Sequence, residues 1–190
     1  MINKIYLSEK TISKVREELR KKTFVLLDDF FDENFYFLLK SEILRKKFSK
    51  KKIPDQYSFS EAENCRKFEK IFLSPQFLEF LEETFDLKIK KIEFSMRKFQ
   101  HIDYTLIKNS LEKEKGFIFL FFVCDNWRKE FGGNKIFSIN GENIIFTPMG
   151  NSIVFLNLNK KTKSFYQYVN SLSKRKEFFV IEGRINFKRF

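Results

Sequence analysis

The stretch from Gly116 to Phe155 constrains the fold of this chain more than any other part of the sequence. It begins with a continuous apolar run, Phe117 to Cys124, which is typical of a β-strand buried on both faces. Asn140-Gly141 separates two further apolar runs and predicts a hairpin, because both residues tolerate positive φ. Pro148 to Asn151 predicts another turn before the next strand. Short strands with frequent turns favour an antiparallel sandwich or barrel over alternating strands and helices.

The remaining elements follow from apolar periodicity and from helix start signals. Ser8, Asp32 and Ser74 are expected to cap three amphipathic helices, and Pro75 suits the first helical position. The predicted helices span 9–21, 33–47 and 75–85, and the predicted strands span 24–27, 92–99, 116–124, 134–139, 143–147, 152–157, 164–169 and 176–187. Residues 49–65 are polar and contain three consecutive lysines, which favours a loop.

Length and composition predict one cytoplasmic domain. The chain has 190 residues, enough for a substantial core, and we expect residues 1–90 to give helical support to a β core in 91–190. No apolar run approaches the roughly 20 residues that span a bilayer. The first ten residues show no signal-peptide pattern. Cys124, in an apolar strand, is expected to be a buried free thiol, which fits a reducing compartment.

The formal charge of +12 has two explanations. One is an anionic partner, such as a nucleic acid, an acidic lipid surface or an acidic protein. The other is compositional bias, because an AT-rich genome would give the excess of Lys, Phe, Ile and Asn without selection for binding. Charge alone bears on solubility and non-specific association rather than on fold.

The order of features resembles a known family. A buried strand, Trp127, Gly132-Gly133, a hairpin, a proline turn and another strand resemble the middle of the 2-oxoglutarate/Fe(II) dioxygenases, closest to the prolyl-hydroxylase type. The strand ending in Asp28-Asp29-Phe30-Phe31 and the phrase LSPQFLEFLEETF at 73–85 resemble segments that precede its core. The likeness covers about 24–187. It implies a mostly β fold with N-terminal helices, a double-stranded β-helix also described as a cupin-like jelly roll.

The resemblance also implies where a cofactor site would lie. These oxygenases hold Fe(II) with two His and one carboxylate, and a basic residue farther on holds the distal carboxylate of 2-oxoglutarate. The single histidine, His101, stands in a literal His-x-Asp with Asp103, while Tyr166 occupies the position of the second His. If a 2-oxoglutarate site is retained, the resemblance implies that Arg175 and Tyr166 form it. Arg175, nine positions after Tyr166, would hold the carboxylate, with Lys176 as an equal competitor.

The same segment can also be aligned with the family in a second register, which places no metal ligand in it. Phe99 to Leu106 fits the family turn aromatic-x-x-Gly-Asp-aromatic-Leu, so that Asp103 takes the place of the turn aspartate. The ligand pair would then fall near Lys108 to Ser110, which offers no His and no carboxylate. This segment resembles the degenerate second domain of the two-domain ribosomal-protein prolyl hydroxylases. We therefore expect no metal and no catalytic residue. His101 and Asp103 are the ligands if a metal binds, and otherwise His101 is a surface turn residue.

Three hypotheses about function remain open from the sequence. The first is an oxygenase-like protein that has lost iron catalysis and acts as a binding or regulatory module, with no cofactor expected. The second is an active dioxygenase that uses 2-oxoglutarate and Fe(II) at an atypical site. The third is a basic protein associated with nucleic acid or ribosomes, in which case affinity should fall steeply with salt. The sequence does not identify the partner, which is expected to be a protein or another acidic molecule.

Overall fold

Two antiparallel sheets enclose the interior of this protein. The computed structural model describes residues 1–62, 66–106, 116–139, 141–158 and 162–188. The helices are α1 (Glu9–Lys22), α2 (Glu33–Leu44), α3 (Arg66–Phe72) and α4 (Pro75–Phe85). The strands are β1 (Phe24–Leu27), β2 (Phe48–Ile53), β3 (Tyr57–Ala62), β4 (Ile89–Phe99), β5 (Tyr104–Thr105), β6 (Gly116–Cys124), β7 (Lys135–Ile139), β8 (Glu142–Phe146), β9 (Ser152–Leu158), β10 (Lys163–Tyr166) and β11 (Phe178–Phe187).

The strand pairing gives the jelly-roll arrangement that the sequence predicts. The larger sheet has the order β1-β9-β6-β11-β4-β3-β2, with β5 paired to β3, and the smaller sheet has the order β10-β7-β8. All of these pairs are antiparallel. From β1 to β4 in this order, neighbouring strands come from distant parts of the chain, whereas β4, β3 and β2 are consecutive in sequence.

The two faces of the larger sheet pack against different parts of the protein. On β6, Phe119 and Phe121 face the helices, whereas Leu120 and Phe122 face the smaller sheet. This alternation follows from the two-residue period of a strand. All four side chains are fully buried, so β6 is covered on both faces, as its continuous apolar run predicts.

The helix starts are confirmed by their capping hydrogen bonds. The side chains of Ser8, Asp32 and Ser74 accept from the backbone N–H groups of Thr11, Phe35 and Phe77, respectively. Pro75 lies at the start of α4, where its missing N–H is not needed. The second helix ends at Leu44, three residues before its predicted end. None of the described helices is long and apolar enough to cross a membrane.

The expected loop at 49–65 is wrong. Residues 48–62 instead form the hairpin of β2 and β3, whose turn contains Asp55 at φ 58°. The polar sequence of β2 resembles that of a loop because β2 lies at the edge of the sheet, where its lysines are exposed. Phe59 on β3 is nevertheless buried against the interior. Helix α3 was also not predicted, and 63–65 lie outside the described residues.

Candidate functional site

The turn between β4 and β5 has the backbone geometry expected if Asp103 takes the place of the turn aspartate. Ile102 has φ 72°, the left-handed conformation that favours glycine and that corresponds to the glycine of the family turn. The Asp103 N–H donates to the carbonyl of Gln100 at 2.9 Å, and the Gln100 N–H donates to Asp103 Oδ2 at 3.1 Å. These two hydrogen bonds make Asp103 a structural part of the turn. Lys108 to Ser110, expected at the ligand pair, lie outside the described residues.

Asp103 is fully buried, and both of its oxygens have protein partners. Its Oδ1 forms an ion pair with Lys50 and accepts a hydrogen bond from Ser58 Oγ at 2.7 Å. A buried carboxylate of this kind is stabilised by its ion pair and hydrogen bonds. His101, two residues earlier, is exposed in the turn. The structure thus places the two residues of the literal His-x-Asp in opposite environments.

Tyr166, which the resemblance assigns to the position of the second His, belongs to the aromatic core between the sheets. Its side chain is 1% exposed. The ring centroid lies 4.3 Å from that of Phe99 and 6.3 Å from that of Phe178. Phe99 and Phe178 stack on each other with centroids 5.1 Å apart. Packed rings therefore surround the side chain that the sequence resemblance assigns to the position of the second iron ligand.

Charged groups from the larger sheet lie near the Tyr166 ring. Arg97 Nη1 is 3.9 Å from Glu182 Oε2, and its Nε is 3.8 Å from Glu61 Oε1. Burial raises the pKa of the Tyr166 hydroxyl well above its usual value; the charge of Glu182 adds to this rise, and Arg97 opposes it. The hydroxyl has no hydrogen-bond partner in the described structure. Lys135 Nζ lies 4.3 Å from the centroid of the Tyr166 ring, a cation–π contact.

Arg175 and Lys176 lie on the surface. Both are exposed and precede β11. They line a depression of about 210 Å³ together with Lys40 and Asp125, which form an ion pair. The Lys176 ammonium donates to the Asn126 carbonyl at 3.4 Å. The Tyr166 ring contacts Phe99, Phe178 and Lys135, and the cofactor role of Arg175 stays a prediction.

Sequence reasoning missed the cations that accompany Tyr166, which are Arg97 and Lys135. The alternation of β4 offered a signal for Arg97, because it shares a face with Phe99 two residues later. Lys135 is 5% exposed and comes directly after the turn that contains Gly132-Gly133. No local pattern distinguishes this buried lysine from the many exposed lysines of the chain.

A larger groove shares Cys124 and Asp125 with the depression beside Arg175 and Lys176. Its volume is about 930 Å³, and its lining includes Tyr36, Trp127, Phe146 and Met149. The charged side chains among its lining residues are all acidic: Asp29, Glu33 and Asp125. This groove contains none of the residues predicted for a cofactor site.

The donor set does not fit the iron site of the 2-oxoglutarate oxygenases. That site needs two imidazoles and one carboxylate on one face, and the chain has one histidine. The described residues contain no cluster of three His, Cys, Asp or Glu side chains that could hold a metal ion. A phenol whose pKa is raised by burial is also a poor replacement for an imidazole, since it must lose a proton to bind a metal as an anion.

Comparison with known proteins identifies the fold. No family model and no curated protein matches the sequence. Among solved structures, a prolyl-4-hydroxylase from Pseudomonas putida matches with a TM-score of 0.72 at 11% identity, over 93% of this chain and 99% of that chain. A 2-oxoglutarate/Fe(II) oxygenase-family oxidoreductase from Burkholderia pseudomallei matches at 0.69 and 10% identity, over 93% and 91% of the two chains.

A third match is a prolyl hydroxylase from Trichoplax adhaerens, solved with a peptide of the hypoxia-inducible factor oxygen degradation domain. Its TM-score is 0.70 at 9% identity, over 93% of this chain and 90% of that chain. At these identities the likeness concerns the fold. This chain therefore has the double-stranded β-helix fold of the prolyl hydroxylases and related 2-oxoglutarate/Fe(II) oxygenases, which confirms the resemblance in its sequence.

Proposed function

We propose that this protein is a binding module with the prolyl-hydroxylase fold that has lost the iron catalysis of its structural relatives. One observation carries the proposal: Tyr166, which the resemblance assigns to the position of the second iron-binding His, packs against Phe99 and Phe178 inside the barrel. The only histidine of the chain is on the surface. The residues that would perform chemistry have been replaced by residues that stabilise the fold.

The state of Asp103 supports the same conclusion. A carboxylate that binds a metal must offer free lone pairs, but Asp103 accepts from Lys50, Ser58 and the Gln100 N–H. Releasing it would leave Lys50 without its partner and open the turn. A site built from His101 and Asp103 would supply one nitrogen and one oxygen donor, leaving most metal positions to water.

We expect the purified protein to retain no stoichiometric Fe(II) and to produce no succinate from 2-oxoglutarate. The test is anaerobic reconstitution with Fe(II), metal analysis after desalting, and a succinate-release assay, with a prolyl-4-hydroxylase treated identically as positive control. The His101→Ala variant is the matched control within this chain. It should give the same low iron content as the wild type, because His101 is not expected to bind iron.

An active oxygenase would give a different pattern. Near-equimolar iron in the wild type, lost in His101→Ala and accompanied by succinate in the wild type only, would overturn the proposal. Stabilisation by 2-oxoglutarate without iron would show that an oxo-acid site persists. Loss of that stabilisation in Arg175→Ala would then assign the carboxylate contact to Arg175.

A further inference from the structure

One face of the β2-β3-β5 ribbon combines exposed lysines with tyrosines. Lys52 lies opposite Ser58 across the β2-β3 pair, and Ser58 lies opposite Tyr104 across the β3-β5 pair. Directly opposed residues of antiparallel strands project from the same face. Lys50, two residues before Lys52, shares this face and pairs with Asp103. The side chains on this face therefore run from the lysines of the edge strand, across Ser58, to Tyr104.

The chain segment after β10 continues this face beyond Tyr104. The Val169 N–H donates to the Asp103 carbonyl, and the Ile102 N–H donates to the Val169 carbonyl, both at 2.9 Å. This pairing sets the ring of Tyr168 next to that of Tyr104, with centroids 6.3 Å apart. Tyr168 is 48% exposed. We define the tyrosine–lysine face as Lys50, Lys52, Tyr104 and Tyr168.

Positive charge flanks the two rings on both sides. On one side, six of the eight residues from Arg45 to Lys52 are Lys or Arg, and none is acidic. Lys51 and Lys52 form no ion pair with any residue in the described ranges. On the other side, the Asn170 N–H donates to the Phe131 carbonyl at 3.0 Å, which brings the turn with exposed Arg128 and Lys129 next to the Tyr168 segment. Asp55 and Glu130 are the acids at the two margins.

We propose that the tyrosine–lysine face binds single-stranded nucleic acid. The lysines would contact phosphates, and the Tyr168 ring, with Tyr104 behind it, would stack on a base. Positive charge alone would equally suit an acidic protein, but the exposed ring of Tyr168 and the partly exposed ring of Tyr104, between two groups of cations, match a strand that alternates charged backbone and flat bases. This inference names the partner of the proposed binding module and rests on that function.

The test is fluorescence anisotropy with a labelled single-stranded RNA 20-mer and a DNA 20-mer of the same sequence, titrated at several salt concentrations. Wild-type affinity should fall linearly on a log–log plot against salt. Lys52→Glu should weaken binding about tenfold and reduce the salt slope by about 0.7 per lost phosphate contact. Lys51→Glu is the matched control, because Lys51 is adjacent, exposed and of equal charge, but lies opposite Phe59 on the other face. It should change affinity by no more than about twofold.

The contribution of the ring is tested separately. Tyr168→Ala should weaken binding about tenfold, whereas Tyr168→Phe, which keeps the stacking surface, should bind like the wild type. Thermal melting of each variant excludes misfolding as the cause. If Lys51→Glu and Lys52→Glu lost equal affinity, or if Tyr168→Ala had no effect on affinity, binding would be non-specific electrostatic attraction. Either result would overturn the proposal.

Two further outcomes would also reject it. Wild type that shows no binding at low salt, or that binds a duplex of the same length more tightly than the single strand, contradicts a stacking site. These measurements use no iron and no 2-oxoglutarate. If no nucleic acid bound, the proposed loss of catalysis would be unaffected. If iron-dependent turnover were found, the measured nucleic-acid binding would be unaffected.

Discussion

Replacing Tyr166 by alanine is expected to lower the free energy of unfolding by about 3–5 kcal/mol, because the change leaves a cavity against Phe99 and Phe178. Equilibrium urea denaturation, with the slope checked for constancy, measures this change. A loss below about 1 kcal/mol would mean that Tyr166 contributes little to the core. That result would reopen the question of why the chain keeps an aromatic residue there.

Tyr166→Phe separates the ring from the hydroxyl. The hydroxyl is buried and has no hydrogen-bond partner in the described structure, so removing it should raise the free energy of unfolding by about 1 kcal/mol. A decrease of similar size would show that the hydroxyl is bonded, either to a water molecule or to a small ligand. It would favour a retained binding site inside the barrel.

Gly132→Ala is expected to be comparably destabilising, by about 3–5 kcal/mol. Gly132 has φ 74° and ψ −154°, a conformation that is essentially restricted to glycine. An added Cβ would also overlap the carbonyl oxygen of Tyr168, which belongs to the backbone and cannot rotate away. The Gly132 carbonyl accepts the Trp127 Nε1–H at 2.9 Å, so movement of the turn would also disturb this buried ring.

Gly141→Ala is the control for the contribution of φ alone. Gly141 has φ 90°, but an added Cβ there would meet no atom within 4 Å. Its substitution should cost about 1 kcal/mol. Equal effects of the two substitutions, measured by urea denaturation, would indicate that the close approach between Gly132 and the Tyr168 segment does not contribute.

Much of the fold could be predicted because its signals are local. The apolar run of β6, the hairpin of β7 and β8 and the three capped helices each depend on neighbouring residues. The β2-β3 hairpin was missed because its edge strand is rich in lysine and Phe59 is its one buried hydrophobic side chain. At a sheet edge, pairing with the neighbouring strand outweighs the polar pattern that suggests a loop.

The candidate site was less predictable because it depends on contacts between distant strands. The sequence placed Tyr166 at the second ligand position, and the turn residue Ile102 supports the register that assigns Asp103 to structure. The resemblance implied Arg175 as the basic partner of 2-oxoglutarate, which stays a prediction; it gave no sign that Arg97 and Lys135 lie near Tyr166. Which cation lies near a tyrosine is set by strand pairing and is not visible in a short motif.

The central claim, that the barrel interior is packed core rather than a metal site, is tested most directly by one linkage measurement. The free energy of unfolding is measured under argon, with and without Fe(II) and 2-oxoglutarate together. Ligands that bind only the folded state at one hundred times their Kd would raise it by about 2.7 kcal/mol. Our account predicts no change. A rise of about 2 kcal/mol or more that disappears in His101→Ala would contradict it.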